Sequence, residues 1–429
     1  MLYTFYGDDF TGSTDVLEQL ALKAVPAVLF LGIPTASQLA RFASVEAIGI
    51  AGDSRSRSPE WMDTHLPGIF EFLKDRRASV NHYKVCSTFD SSPVRGNIGR
   101  AMEIGSRMFG SPCIPVIVAA PHLRRYIAFG NLFAGDADGK VKRIDRHSMA
   151  RHPATPMREA DLRRHLAKQT ILRTALLALP SLRSANAAAQ LGALIADGAQ
   201  AVLFDGTDEE DVKRTGKLLR SMSEGAPLFV VGSSGVTAAL LTSRMPARDP
   251  ICATVDGGIK RKPLLIVSGS CSLATMAQIE YAEACGFRGF ALDAATLVDS
   301  ADERERVARQ VSTTLAEGVS TVLYTALGPY AAPSTGAVPS NDLGSSLGVL
   351  LKRIVEQTGQ RRVVLCGGDT SSHAVQQLGC YALTALQTTQ TGAPLCRLHT
   401  DDSALDGLEI VLKGGQVGSK DFFELVRDL

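Results

Sequence analysis

Short apolar runs bounded by Gly, Asp or Ser alternate along this chain with longer stretches of helical period. That is the pattern of βα units whose parallel strands are buried on both faces. Runs at 2–6, 27–31, 47–50, 83–85, 115–119, 201–204 and 227–231 read as a first set of strands, with helices between them such as 14–23. A second set begins at 263–267 and continues at 289–292, 321–324, 362–366 and 408–412. The stretch from Arg244 to Pro263 is rich in Pro, Gly and charge, which marks a domain boundary. The expected organisation is one α/β domain over 1–243, a linker over 244–262 and a second α/β domain over 263–429. Residues 131–157 carry many charges and few apolar runs and read as a long loop or excursion, a kind of segment that is often functional.

Composition narrows the function. With 429 residues, 45% hydrophobic and 21% charged, the chain is long enough for two separately cored domains. Its 45 Lys and Arg nearly cancel 44 Asp and Glu, so no net field exists to hold a nucleic acid or an anionic membrane surface. A small molecule is the expected partner. The first residues run straight into Asp8-Asp9 without the basic and apolar regions of a secretion signal, and no uninterrupted apolar stretch approaches the ~18 residues of a membrane span. Eight cysteines, Cys86, Cys113, Cys252, Cys271, Cys285, Cys366, Cys380 and Cys396, stand as singles with no C-x-x-C pair, which fits reduced thiols in the cytoplasm.

Candidate chemistry gathers where strands end, the edge at which open α/β sheets bind ligands. Tyr6-Gly-Asp8-Asp9-Phe-Thr-Gly-Ser-Thr-Asp15 offers two adjacent carboxylates that can orient a hydroxyl, take its proton or hold a cation; a plain strand-to-helix turn capped by Asp and Thr is the alternative. In Asp53-Ser-Arg55-Ser-Arg57-Ser-Pro59 either arginine can clamp a carboxylate, though surface arginines usually do nothing so specific. Lys84-Val-Cys-Ser87-Thr88-Phe-Asp90-Ser91-Ser-Pro-Val-Arg95-Gly-Asn97 concentrates side chains that donate and accept hydrogen bonds, as a polyol site needs, or else forms a polar turn.

The second half carries three glycine-rich turns: Ser268-Gly269-Ser270-Cys-Ser272, Gly367-Gly368-Asp369-Thr370-Ser371 and Lys413-Gly414-Gly415-Gln-Val-Gly418-Ser419. Their N–H groups can bind phosphates at helix N-termini, Lys413 adds a point charge, and Asp369 and Thr370 add oxygens that can reach Mg²⁺ directly or through water. No G-x-x-x-x-G-K-[ST] loop and no G-x-G-x-x-G after a strand is present. A fourth turn, 230–237, can pair with either half or be a tight packing turn. The eight His show no metal-ligand spacing; His147, His152 and His165 lie in a basic, polar stretch and are expected to be solvated or next to substrate.

Together these motifs resemble the four-carbon acid sugar kinases, over nearly the whole chain. The family's A-D-D-[FL]-T-G-A start is echoed by Gly7–Ser13, its D-S-T-x-x-G-N segment by Asp90–Asn97, and S-G-S-C-S stands unchanged at Ser268–Ser272. G-G-[DE]-T-S appears at Gly367–Ser371 and the terminal L-K-[SG]-G-[NQ]-x-G-x-x-x-F-F pattern at Leu412–Phe423. Gly7 in place of Ala, an inserted residue and Ser92 in the Asp90 segment, and Gly414 and Gln416 in the last motif depart from it.

The resemblance implies two α/β domains with mainly parallel sheets facing each other across a cleft, and ATP-dependent transfer to a tetronate-like acid. Asp9, with Asp8 as second candidate, is expected to orient or deprotonate the acceptor hydroxyl. Arg55 binds the carboxylate with Lys84, and Ser87, Thr88, Asp90, Ser91, Arg95 and Asn97 read the hydroxyls. Ser268, Gly269, Ser270, Gly367, Gly368, Asp369, Thr370, Ser371, Lys413, Gly414, Gly415 and Gly418 bind ATP, with Asp369 on Mg²⁺. D-erythronate, D- or L-threonate, 3-oxo-tetronate and a branched acid of the 3-oxo-isoapionate kind all remain open as substrate. A non-catalytic acid-sugar and nucleotide sensor and an acyl-activating ligase are the rivals, and a homodimer is left open.

Overall fold

A computed structural model describes residues 2–136, 139–151, 155–243, 262–328, 338–390 and 392–429, and of Asp369 the backbone only. The chain divides into two compact units, Met1–Ala27 with Gly32–Arg248, and Val28–Leu31 with Asp249–Leu429. The expected linker at 244–262 lies outside the described residues except for Lys262.

The strands of the first unit are β1 (Tyr3–Gly7), β3 (Ala47–Ala51), β4 (Val80–Lys84), β5 (Ile114–Ile117), β6 (Arg125–Ala128), β7 (Asn131–Gly135), β8 (Val141–Arg143), β9 (Thr174–Leu177), β10 (Ala201–Phe204) and β11 (Leu228–Gly232); β2 (Ala27–Phe30) belongs with the second unit. Seven of them form a parallel sheet in the order β3-β1-β4-β11-β5-β10-β9. β1, β3, β4 and β11 are buried at every position; β1, β3 and β11 appear in the sequence as largely apolar runs, whereas β4, Val80-Asn-His-Tyr-Lys84, is polar and yet buried. Register decides where function can sit: Gly7 pairs with Ala51 and with Lys84, and Lys84 with Gly232. The chain therefore leaves these four strands at one level, at Asp8, Gly52, Val85 and Ser233.

Two features of this unit depart from the sequence reading. Residues 131–157 are no simple loop, because β7 and β8 pair with β6 in a three-stranded antiparallel sheet. β9, too short and too flanked by charge to stand out, adds an edge strand.

In the second unit β12 (Leu265–Ser268), β13 (Arg288–Ala291), β14 (Thr321–Tyr324), β15 (Arg362–Cys366) and β18 (Glu409–Lys413) run parallel in the order β13-β14-β12-β15-β18. The antiparallel hairpin β16 (Cys380–Gln390) and β17 (Ala393–Thr400), absent from the sequence reading, extends this sheet, and β2 pairs with its outer strand. Ile266, Val364 and Val411 of the parallel strands pack with Ile279, Phe422 and Phe423, all at most 1% exposed. Burying such side chains stabilises the unit by about 1.5–3 kcal/mol each before conformational entropy is charged against it. Among the described residues no helix is long and apolar enough to cross a membrane.

Candidate active site

The paired carboxylates arise where β1 turns into the helix Phe10–Ala21. The turn is tight: a Cβ on Gly7 would lie 1.9 Å from Ser13 Oγ. Asp8 is stitched in through its backbone, its N–H donating to Lys84 O at 2.9 Å and its carbonyl accepting from Arg55 N at 2.9 Å. Its side chain is 2% exposed, and Oδ1 is buried without a hydrogen-bond partner. Burial, then the neighbouring Asp9 charge, push its carboxyl well above the usual carboxylate range.

Asp9 sits differently. Its Oδ2 accepts from Thr11 Oγ1 at 2.9 Å and lies 3.1 Å from Arg55 Nη2. A Cβ on Gly12 would lie 2.2 Å from Asp9 Oδ1 and 3.0 Å from Lys84 Nζ, so Gly12 leaves the space that lets these two groups approach. Burial would raise its pKa, but the Arg55 and Lys84 charges and the Thr11 hydroxyl prevail and hold Asp9 below the ordinary value. Adjacent carboxylates with opposite shifts are the arrangement in which one can stay a fixed anion while the other exchanges a proton. The two candidates for the acceptor base, Asp9 first and Asp8 second, thus stand in different surroundings, Asp9 beside Arg55 and Thr11 and Asp8 buried with an unpartnered oxygen.

Of the two candidate arginines, Arg55 turns to Asp9, whereas Arg57 donates Nε to Asp53 Oδ2 at 2.8 Å and lies over the Trp61 ring. Lys84 is 2% exposed, with Asp15 3.9 Å away. Gly96, at φ +60°, seats the following loop on Arg55, whose carbonyl oxygen would lie 2.6 Å from a Cβ there.

Much of the 87–97 segment faces inward. Asp90 accepts from Thr88 Oγ1 at 2.6 Å and Thr155 Oγ1 at 3.2 Å, one on each oxygen. Ser91 Oγ donates to Phe89 O and meets His165 Nε2 at 2.8 Å and Gln169 Nε2 at 2.9 Å. Asn97 caps the helix Ile98–Phe109, accepting from Arg100 N at 2.7 Å. These three are loop staples, while Arg95 is exposed and Ser87 half-buried. His165 and His147 are buried rather than solvated, and burial pushes His165 down to about 4; His152 lies outside the described residues. The 230–237 turn belongs to this unit and packs tightly, Gly232 and Gly235 each leaving a Cβ only 1.9 Å from the carbonyl oxygens of Ile117 and Ala119.

In the second unit the three glycine turns converge, because β12, β15 and β18 are neighbours whose ends Ser268, Cys366 and Lys413 are level. Gly269 N donates to Cys366 O at 3.1 Å and Gly367 N to Lys413 O at 2.9 Å. A Cβ on Gly269 would lie 2.5 Å from Thr370 Oγ1, and one on Gly415 2.7 Å from Ser270 Oγ. Gly367 has φ +111°, which only glycine adopts without strain, and it opens the helix Gly368–Gln377, whose first N–H groups have no intrahelical acceptor. Ser371 Oγ is buried there without a partner.

The last turn is held by its carbonyls. Gly415 O accepts from Ser272 and Thr275, and Gln278 Nε2 reaches Val417 O, Gly418 O and Ser419 O at 3.0, 3.0 and 2.9 Å. No protein acceptor among the described residues meets the N–H groups of Gly415, Gln416 and Gly418, which is how an anion-binding nest is built. Thr275 and Gln278 escaped the sequence reading, although Ser272, Thr275 and Gln278 recur every third residue along one helix face.

Lys413 lies at the base of this turn. It is fully buried, and Nζ donates to Thr275 Oγ1, Gly414 O and Val417 O, each at 3.1 Å. The ammonium thus shapes the turn from within through three neutral acceptors, and burial lowers its pKa. For Asp369 the described backbone fixes only its place in the first turn of the helix. No group of three or more His, Cys, Asp or Glu among the described residues can hold a metal unaided.

Residues 3–240 match the family model described as a sugar-binding N-terminal domain, and residues 265–423 match that of a nucleotide-binding C-terminal domain. A Paraburkholderia graminis protein named 3-oxo-isoapionate kinase is 42% identical over 100% of this chain and 94% of its own length. A Pectobacterium atrosepticum 3-oxo-tetronate kinase is 28% identical over 97% of this chain and 96% of its own. Among solved structures, a Salmonella typhimurium protein provisionally described as a tRNA synthase aligns with TM-score 0.80 at 22% identity, covering 99% of this chain and 98% of that one. A Haemophilus influenzae protein aligns with TM-score 0.74 at 23% identity over 99% of each chain. These two likenesses show the fold alone. Matched over both halves by the domain models and over its full length by a 42% identical acid sugar kinase, the chain belongs to the four-carbon acid sugar kinase family.

Proposed function

We propose that the protein transfers the γ-phosphoryl group of ATP to a hydroxyl of a 3-oxo sugar acid, and that the acid is the branched 3-oxo-isoapionate kind rather than a linear tetronate. The observation that carries the kinase reading is the Asp8-Asp9 pair, one carboxylate tied to Arg55 and Thr11 and the other buried with an unpartnered oxygen. The choice of acid is supported by the 42% identity to a relative named for it, against 28% for a 3-oxo-tetronate kinase.

In this reading Asp8 takes the proton of the acceptor hydroxyl as its oxygen bonds to the γ-phosphorus. The bond from that phosphorus to the β,γ-bridging oxygen breaks, and its electron pair leaves on ADP. Asp9, Arg55 and Lys84 hold the acceptor in line, since phosphoryl transfer needs positioning more than covalent chemistry. The three glycine turns bind the phosphates through N–H groups. Mg²⁺, when bound, would supply charge neutralisation at the phosphates; no cluster among the described residues could hold it, so its protein ligand would be the carboxylate at position 369, with phosphate and water oxygens beside it. Cys86, Cys113, Cys271, Cys285, Cys366 and Cys380 are free thiols, in keeping with a cytoplasmic enzyme.

A coupled ADP-release assay with 3-oxo-isoapionate, 3-oxo-tetronate, threonates and erythronate tests the proposal. The highest kcat/KM is expected for the branched acid. A linear acid in first place would overturn the substrate choice, AMP in place of ADP would point to the ligase, and binding without release would leave the sensor.

A further inference from the structure

We infer that Arg125 receives the carboxylate of the acid substrate through its Nε–Nη2 edge. The inference deepens the proposed function and rests on its premise that the substrate is a sugar acid. Arg55, the residue that sequence reasoning assigned to this task, already has Asp9 as a partner at 3.1 Å. A second cation is needed to bind a free carboxylate strongly.

Arg125 opens β6, at the far end of the connection that leaves β5 after Ile117. Ile117 is level with Gly232, and Gly232 with Lys84, so the loop after β5 leaves the sheet at the edge that carries Asp8 and Cys86. The backbones of Ala120 and Arg125 exchange hydrogen bonds at 3.0 and 3.1 Å, fixing the base of the loop. The guanidinium is anchored on one side only: Nη1 donates to the carbonyls of Leu123, Arg124 and Gly135 at 3.0, 3.3 and 3.3 Å. Nε is buried without a partner, and no acceptor among the described residues meets Nη2. An acid in its neighbourhood, Asp136, is taken by Lys142 at 2.9 Å and by Ser148.

What stays open is the edge with two parallel N–H groups, the geometry that grips a carboxylate bidentately. A buried donor left unpaired is costly in a folded protein unless a ligand completes it. His122, three residues earlier in the same loop, likewise has a buried and unpartnered Nε2. Two such atoms in one short loop point to one missing polar occupant. Arg125 and Cys86 are within electrostatic reach of each other, and Cys86 in turn of Asp90, Arg55 and Asp9, which places the loop beside the proposed acceptor site.

The test compares 3-oxo-isoapionate with its carboxamide, the same molecule without the charge, as substrates for wild type, Arg125→Met, Arg125→Lys and Arg55→Met, alongside ATP kinetics and thermal melts. Arg125→Met is expected to lower kcat/KM for the acid by about 10- to 100-fold, the scale of a lost charge-assisted pair, to lower that for the amide far less, since only one neutral hydrogen bond is lost there, and to leave the KM for ATP unchanged. Arg125→Lys should keep part of the acid preference, because a point charge remains without the fork, and it serves if the Met variant does not fold. A merely structural arginine would depress acid and amide together. An unchanged acid-to-amide ratio in folded Arg125 variants overturns the inference, all the more if Arg55→Met collapses that ratio. Should the wild type turn over neither compound, the kinase reading fails on its own. Calorimetry of the acid then decides Arg125 separately: weaker binding by Arg125→Met supports it, and equal binding or none overturns it.

Discussion

Replacing Asp8 by Asn keeps the shape of the side chain and removes its basic oxygen. Among the described residues, the other carboxylates of this site face hydroxyls or cations. Asp9 Oδ2 is held by Arg55 and Thr11, both oxygens of Asp90 are taken, and Asp15, whose Oδ1 is also unpartnered, lies 3.9 Å from the Lys84 ammonium, which favours its anion. Turnover should therefore fall by the full effect of a lost general base, roughly 10²–10⁴-fold, which is about 2.7–5.4 kcal/mol of transition-state stabilisation. The fold should gain. Asp8's folded pKa is raised, so the folded state holds this proton more tightly than the unfolded chain does. The associated stability is complete below the unfolded value of about 3.9 and is lost as pH rises toward the folded pKa. Asn carries no charge to desolvate, so it removes the burial cost that Arg55 and Lys84 only partly offset for Asp8, and each kcal/mol regained should lift Tm by about 2–4 °C. For the wild type, kcat/KM should rise with pH through the raised pKa, and that limb should vanish in the mutant. The assay is kcat at saturating ATP and acid from pH 5 to 9, with melts at matched pH. A folded Asp8→Asn enzyme with near-wild-type kcat and an unchanged pH profile would refute the assignment.

Other substitutions separate binding from chemistry. Asp9→Asn removes the partner of Arg55 and should cost about 1–3 kcal/mol of stability at pH 7, a cost that shrinks in melts as pH falls through Asp9's depressed pKa, while kcat falls less than for Asp8→Asn. Lys413→Met loses three internal hydrogen bonds and should lower stability by about 1–3 kcal/mol while raising the KM for ATP; an unaltered melt with ATP binding abolished would mean that the lysine meets phosphate after all. Gly367→Ala forces a side chain into φ +111° and should cost about 1–3 kcal/mol, weakening a non-hydrolysable ATP analogue in calorimetry without changing affinity for the acid.

The parallel strands were legible because strands covered on both faces spell unbroken apolar runs, and the candidate site because its motifs stand where those runs end. The β16–β17 hairpin was not. Its Thr- and Gln-rich stretch from Thr384 to Gln390 is only half buried and has the polarity of a loop. Nor does local sequence show that residues 28–31 pair with β16, since pairing across some 350 positions leaves no local mark. Direction is the deeper loss. Arg55 and Arg57 are equivalent on paper, yet one meets Asp9 and the other Asp53; Lys413, Ser91 and Asn97 have the chemistry of a binding site but turn it on their own loops. Arg125 and His122, in a loop without a motif, gave no sign until their unpaired atoms could be seen.

Phosphorus NMR of ATP, Mg²⁺ and 3-oxo-isoapionate with wild-type protein tests the central claim most directly. The account predicts ADP and a phosphomonoester of the acid appearing in equal amounts, with both signals lost together in Asp8→Asn. ADP accompanied by inorganic phosphate, or AMP with pyrophosphate and no phosphomonoester, would contradict it.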